Sequence, residues 1–457
     1  MNVKVLEIRI GQLRAGVLFQ YAQAGARTIN RFVADPTFID NMHAPIISLS
    51  YLADAEQDQA LLWRDSRNPL FNGHLSKDRQ SWLLPAFFQN LLPEGVFRNQ
   101  IAQLRQCAPD DHFELLAACG KDLPGNIYAL PIQLSGQELA SYVTQSEDAL
   151  EMVVTAEPLE DGVSLSGVQP KLGVLKDGDR YVGRTKDQDT CIIAKLPVIG
   201  YPLLPEVEDL SLRLASAAGV NACEAHLEPL AKLAGQHHYD LEDMQARTNF
   251  LAVVRYDREA NARVHCEDFA QVFGIMPEDK YTTRISYLNV AAVLLARLSL
   301  GVGAVHELLR RITVNEMLGN PDMHLKNLGL WYPDGRNAVF PPAYDIVAHT
   351  IYTPVTGHGL RILPEELEAK LRPKADGKRA KKIQLTPGVL RVFCNQLGIA
   401  ESPAIKAVTG CIWAAYRTWP AMIEASLLTP GQKAKLQAHF YKHHAVAGLK
   451  LRDKMSN

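Results

Sequence analysis

The 457-residue chain has almost no net charge, with 48 Lys+Arg against 50 Asp+Glu, a balance of −2. That excludes binding to nucleic acid through a uniformly basic surface, so any such contact needs a local patch. The chain also lacks paired cysteine motifs. Its seven cysteines, Cys107, Cys119, Cys191, Cys223, Cys266, Cys394 and Cys411, are odd in number, far apart and form no C-x-x-C. This argues against a disulfide framework and a structural zinc site, and suits a reducing cytosol. Long apolar runs are missing too. The start, MNVKVLEIRIGQLRAG, has no continuous apolar core, and the most apolar stretch, 290–305, contains Arg297 and is too short to span a bilayer. The expectation is a cytoplasmic protein with no membrane partner. There is no internal repeat, no low-complexity tract and no H-E-x-x-H spacing among the 14 histidines. Lys442-His443-His444 reads as an exposed helix face rather than a metal site.

What is present is ordinary globular material: 47% hydrophobic and 21% charged residues, enough for a large core. The length suggests about three units, and the texture places them at 1–135, 136–255 and 256–457. The first mixes strand-like runs (Val3, Val5, Ile8; Ile46 to Ser50) with a helical block, Leu83 to Leu104, interrupted by Pro93 and Gly95. The second has strand signals at Lys171 to Leu175, Thr190 to Leu196 and Phe250 to Tyr256. A helix beginning at Pro205-Glu206 and ending at Gly219 interrupts them. The third is mostly helical: Leu288 to Leu318, Gly388 to Leu397, Ile405 to Leu427 and Pro430 to Lys450. Its exception is a predicted β-hairpin from Leu328 through Pro333-Asp334-Gly335 to Phe340, ending near Asp345. A β-rich half followed by a helical half gives an α+β class with two lobes, a texture that protein kinases share with other enzymes.

Four constellations could carry chemistry. Asn320-Pro321-Asp322-Met323-His324-Leu325-Lys326-Asn327 crowds polar groups between a long helix and a strand. Kinase catalytic loops space an Asp base and a metal-holding Asn by five residues. The spacing alone is what chance yields, and a capped helix end is the plain alternative. The predicted hairpin would return Asp345 close to Asn327, and two oxygen donors there suit Mg²⁺; a helix-capping aspartate is the alternative. Ser164-Leu165-Ser166-Gly167-Val168-Gln169-Pro170-Lys171 precedes a strand. It could cradle phosphate with its backbone or be a simple turn. Lys195, in the apolar run Ile192 to Leu196, needs a partner if buried. A nucleotide phosphate or Glu208 on the following helix would serve, unless it lies on an edge strand. A further run, 370–382, holds seven basic residues and one acid, Asp376. It reads as a solvated loop or a contact for nucleic-acid phosphates.

Taken together and in order, these segments resemble the HipA family of bacterial toxin serine/threonine kinases of type II toxin–antitoxin systems. The matching motifs include the 164–172 loop, Ala194-Lys195-Leu196-Pro197, Glu208, and Val254-Arg255-Tyr256-Asp257-Arg258. Glu267-Asp268-Phe269-Ala270-Gln271, Lys280-Tyr281, Gly319 to Asn327, and Ala343-Tyr344-Asp345-Ile346 follow, with Phe88 to Gly95 upstream. The resemblance implies a HipA-like bilobal kinase fold: a mixed N-terminal lobe with an extra N-terminal subdomain, and a mainly helical C-terminal lobe. It implies transfer of the ATP γ-phosphoryl group to a protein Ser/Thr, with ATP and Mg²⁺ as cofactors. Asp322 would be the catalytic base, with Asn327 and Asp345 holding the metal. Ser166, Gly167, Val168, Gln169, Lys171, Lys195, Arg255, Tyr256, His324 and Lys326 would form the ATP site. Glu208 would pair with Lys195. Ser164 matches the serine that such kinases phosphorylate on themselves, with Ser166 as a second candidate.

The resemblance also implies partners: a protein substrate, linked to translation in some relatives, and a helix-turn-helix antitoxin of the HipB type. Any DNA contact would be indirect or to phosphate only. Two departures stand out. Val254 replaces the usual hinge acid, and Pro321 directly precedes the expected base. The competing function is a catalytically weak kinase-like regulator, a DNA-bound co-repressor beside the antitoxin. A small-molecule kinase on the same fold is a third reading.

Overall fold

The structure is a computed structural model that describes residues 2–23, 27–142, 151–152, 155–159, 165, 169–183, 189–234, 249–259, 262–354, 358–371 and 383–449. The N-terminal body is built on an antiparallel sheet of β1 (Asn2–Ile10), β2 (Leu13–Gln23), β3 (Arg27–Ala34) and β4 (Ile127–Pro131). Its order is β3-β2-β1-β4, with β5 (Glu151–Met152) parallel to the start of β1. The alternation in β1 feeds two cores. Val3 and Val5 pack with Val17, Phe19 and Leu139 on one face. Leu6, Ile8 and Ile10 pack on the other with Phe88, Ile101 and Phe113 from the helices that cover it. Those helices are Ala86–Gln89, Gly95–Arg105 and His112–Cys119, and Pro93 followed by Gly95 at φ +60° separates the first two.

The second sheet contains β6 (Lys171–Asp177), β7 (Arg180–Val182), β8 (Ile192–Lys195), β9 (Ala225–Pro229) and β10 (Asn249–Val254), in the order β7-β6-β8-β10-β9. Gly178 at φ +58° makes the β6–β7 turn. Helix Leu204–Ala217 lies against this sheet. Its Leu210, Leu214 and Ala215 join the main core. A two-residue ribbon, β11 (Arg258–Glu259) with β12 (Ala262–Arg263), leads to β13 (His265–Asp268).

The C-terminal lobe is helical: Tyr287–Ala296, Gly301–Leu318, Pro387–Leu397, Glu401–Glu424 and Pro430–Lys442. Trp419 is fully buried among them, and its indole donates to the Leu214 carbonyl, 2.8 Å, tying this lobe to the helix of the sheet lobe. No helix among the described residues is long and apolar enough to cross a membrane.

Three expectations fail. Lys442-His443-His444 is not an exposed face throughout: His443 is buried and its Nε2 lies 3.1 Å from Glu316. The predicted hairpin after Leu328 is a single bridge, Trp331 to Val339. Strand β14 (Gly329–Tyr332) pairs instead with β13, sixty-odd residues upstream. Pro341-Pro342 offer no N–H to extend a return strand, and Ala343 pairs with the 221–223 segment. Residues Ile46 to Ser50 are not a strand. Ser48 caps a short helical turn, Leu49–Tyr51, held from outside by Glu267 of β13, which accepts from the Ser48 hydroxyl (2.6 Å) and the Leu49 N–H (3.0 Å).

Candidate active site

The site grows from the end of β8. Ile192 to Ala194 pair with β6 and β10, so the following Lys195 is carried inside the lobe and is only 5% exposed. Its register partner on β6 is Lys171, equally buried. Helix Leu204–Ala217 starts with Pro205 in its first turn, and this presents Glu208 to the strand. The Lys195 ammonium donates to both Glu208 and Asp345. Burial opposes its charge, but the two carboxylates outweigh that and hold it well above the ordinary lysine value. Burial likewise opposes the charge on Asp345, yet Lys195 and Lys171 hold it below the carboxylate range. Glu208, by contrast, is pushed up by burial. Burial lowers Lys171 to about 8 despite Asp345 nearby.

Asp345 is reached through an unusual backbone. It sits at φ +55°, left-handed and uncommon for a residue with a Cβ. The helix-capping alternative does not hold: the segment after it is not helical until a short turn at His349–Ile351. The pairing of Ala343 with 221–223 and the bond to Lys195 fix its position.

The loop 319–327 follows helix Gly301–Leu318, which Gly319 ends at φ +63°. A Cβ there would meet Thr350 and His439 within 3.0 Å, so glycine is required sterically as well. Asn320 donates to Asn315, 2.6 Å, and accepts from the Asp322 N–H, 3.1 Å. Pro321 between them stiffens that turn. Asn327 donates its Nδ2 to the Asp322 carbonyl, 2.8 Å, which leaves its amide oxygen for the cleft. The Asp322 carboxylate is part-exposed and accepts from the Tyr281 hydroxyl.

A cleft between the lobes is lined by Lys171, Lys195, Asn327 and Asp345 at one end, and by Ile193, Val253, Arg255 and Tyr256 toward the other. Asp322 stands beside this cleft, joined to it through Asn327. Tyr256 stacks on Tyr344, centroids 5.7 Å apart. The Arg255 guanidinium turns away into a buried ionic cluster, where it meets Asp122 (3.2 Å) and Asp257 (2.9 Å). Arg258 joins the same two carboxylates. His324 is buried with its ring edge-on to Tyr281, 4.7 Å, and burial lowers its pKa. Lys326 also borders the cleft, but its ammonium is held by Asn90 (2.9 Å to the carbonyl, 3.1 Å to the side chain) and Asp268 (3.1 Å). Gln169 donates to the Leu196 carbonyl, 3.1 Å. Ser164, Ser166, Gly167 and Val168 lie outside the described residues, as do Arg372 to Lys382 of the basic run.

Spacing arguments did not single out Asn90, Glu94, Asp122, Asp268 or Tyr281. Glu94 accepts from Lys280, 3.0 Å, and lies 3.6 Å from Lys326. The family resemblance took in Asn90, Glu94, Asp268 and Tyr281 through its motifs, and the segment Phe87 to Phe97 sets three polar residues, Gln89, Asn90 and Glu94, among apolar ones.

A β-rich lobe, a helical lobe and an ion-paired cleft between them define a protein-kinase-like bilobal fold. Comparison with known proteins agrees. The HipA-like C-terminal domain matches residues 163–418, and the HipA N-terminal domain matches residues 6–130. The chain therefore belongs to the HipA family. Among relatives, it is 32% identical over 355 residues to a Sinorhizobium fredii protein named "Putative kinase Y4dM", covering 77% of this chain and 78% of that one. It is 30% identical over 347 residues to "Putative kinase Y4mE" of the same organism, covering 71% and 76%. A solved structure of the Shewanella oneidensis HipA, HipB and operator DNA complex contains a chain of the same fold, with TM-score 0.63 and 19% identity, covering 97% of this chain and 96% of that one.

Proposed function

We propose that the protein is an ATP-dependent serine/threonine protein kinase of the toxin type. The observation that carries this is the convergence of Lys195, Asp345 and Asn327 on one cleft, with the buried Glu208 holding Lys195 from behind. The fit to a nucleotide and a divalent ion rests on the donor set. One carboxylate and one amide oxygen are hard donors. No larger cluster of His, Cys, Asp or Glu arranged for a metal exists among the described residues. Mg²⁺ is typically held by one or two such groups together with phosphate oxygens. Bound there, Mg²⁺ would neutralise phosphate charge and polarise the terminal phosphoryl group.

Asp345 and Asn327 would hold the ion, and Lys195 and Lys171 would meet phosphate oxygens. Tyr256 and Val253 offer apolar wall for the base. Asp322 accepts the proton of the acceptor hydroxyl as it attacks. With Asp345 engaged by a metal, Glu208 would still fix the direction of the Lys195 ammonium. The segment Ser166 to Lys171, of which Gln169 to Lys171 are described, is assigned to the phosphates. His324 stands beside the Asp322 carboxylate and Tyr281, whereas the Lys326 ammonium is taken by Asn90 and Asp268. Ser164 is the self-phosphorylation site, and a phosphate there would add about −1.5 to −2 charge beside a phosphate-binding loop, switching the enzyme off. A helix-turn-helix antitoxin of the HipB type is the expected partner, as in the Shewanella complex, with DNA contact through that complex and the basic run at 370–382.

The reading is tested by titrating Mg-ATP into the parent protein and Asp345→Asn. The variant should lose Mg²⁺-dependent binding. Mass spectrometry of the peptide spanning Ser164 to Lys171, after incubation with Mg-ATP, should show one added phosphate that Ser164→Ala abolishes. Mg²⁺-independent binding that is equal in both proteins would defeat the reading.

A further inference from the structure

Tyr281 is the one side chain whose polar atom reaches the Asp322 carboxylate by a hydrogen bond among the described residues. It occupies a single oxygen, Oδ1, and Oδ2 keeps its lone pairs. The tyrosine itself is held. Its ring stands edge-on to His324, and the preceding Lys280 is anchored to Glu94 of the N-terminal body. Yet Tyr281 is 47% exposed, so this contact stands at an opening and not in the core. With Lys280, Glu94, Arg98 and His112 it walls a second cavity at the seam between the N-terminal body and the C-terminal lobe. A carboxylate at a solvent-facing loop turns freely about its side-chain bonds unless a donor fixes it.

We propose that Tyr281 is a positioning residue for the proton-accepting step. Its hydroxyl locks the Asp322 carboxylate so that Oδ2 faces the incoming acceptor hydroxyl. This rests on the reading of Asp322 given above and deepens it. The N-terminal body thereby takes part in transfer, because Glu94 braces the segment that carries Tyr281.

Three proteins are compared: parent, Tyr281→Phe and Asp322→Asn. Each is assayed for labelled phosphate incorporated into itself from Mg-ATP and for Mg-ATP affinity by calorimetry. Tyr281→Phe keeps the ring and the His324 contact. The expected result is unchanged Mg-ATP affinity and melting temperature, with incorporation at saturating ATP slowed on the order of 10²-fold, the scale of a displaced reacting group. If Tyr281→Phe matches the parent rate while Asp322→Asn is inactive, the role of Tyr281 is overturned and that of Asp322 stands. A lowered melting temperature or weakened ATP affinity in Tyr281→Phe would make the tyrosine structural and overturn the proposal. If Asp322→Asn matches the parent, the reading of the base itself has failed.

Discussion

Lys195 and Asp345 lie 150 residues apart in the chain and form an ion pair in the cleft between the lobes. Glu208, 13 residues from the same lysine, completes the contact. The pair links the sheet lobe to the loop that follows the transfer site, so the lysine reports on both function and stability. Lys195→Met should abolish phosphate transfer and destabilise the protein by about 3 kcal/mol, because the buried Glu208 carboxylate and the part-buried Asp345 lose their cation. The double variant Lys195→Met/Glu208→Gln should regain part of the stability and none of the activity. Chemical denaturation with a transfer assay checks both. Full stability in the single variant would contradict the pairing.

Nucleotide affinity should depend on pH through Lys171. Burial lowers this amine to about 8, so it is mostly charged at pH 7 and mostly neutral at pH 9. A phosphate anion favours the charged form, so binding above pH 8 takes up a proton. Mg-ATP affinity should fall roughly tenfold between pH 7 and pH 9, and Lys171→Met should flatten that slope. Calorimetry in two buffers of different ionisation enthalpy measures the proton uptake. An affinity unchanged across this range would remove Lys171 from the phosphate contacts.

The N-terminal body is fastened to the segment Arg255–Arg258 by a buried ionic cluster. Asp122 accepts from Arg255 and Arg258, and its carboxyl is held at about 2 because these cations outweigh the burial that opposes its charge. Arg258 also donates to the Leu123 carbonyl, 2.9 Å. Asp122→Asn leaves buried guanidinium groups under-compensated and should lower stability by about 3–5 kcal/mol. The loss should persist in high salt, since buried pairs are poorly screened. Hydrogen exchange should quicken in residues 122–125 and 189–191 first. A surface-like, salt-sensitive effect below about 1 kcal/mol would contradict the buried cluster.

Local pattern carried much of the architecture. The alternation of Val3 and Val5, the apolar run Ile192 to Ala194 and the helical blocks from Leu288 onward all form elements close to where the sequence places them, because propensity and burial agree there. The expected proximity of Asn327 and Asp345 rests on a full hairpin, of which the chain builds only the Tyr332–Gly335 turn and the Trp331–Val339 bridge. Both residues line the same cleft, but β14 pairs with β13 and the 341–345 segment is placed by the sheet lobe. Such non-local pairings leave no periodic signal. Ile46 to Ser50 has strand composition, yet Glu267 draws it into a helical turn from 219 residues away. The direction of the Arg255 side chain was equally hidden. A basic residue beside a cleft can face it or turn from it, and the deciding partner, Asp122, comes from another body. Lys326 is similar, since its ammonium is claimed by Asn90 and Asp268.

The most direct measurement is Mg²⁺-dependent incorporation of labelled phosphate from ATP into protein, made with the parent and Asp322→Asn side by side, each shown to bind Mg-ATP. The account predicts labelling by the parent and at least a 10²-fold lower rate for the variant at equal nucleotide affinity. Nucleotide bound by both proteins with no labelling by either, or labelling at the same rate in both, would contradict it.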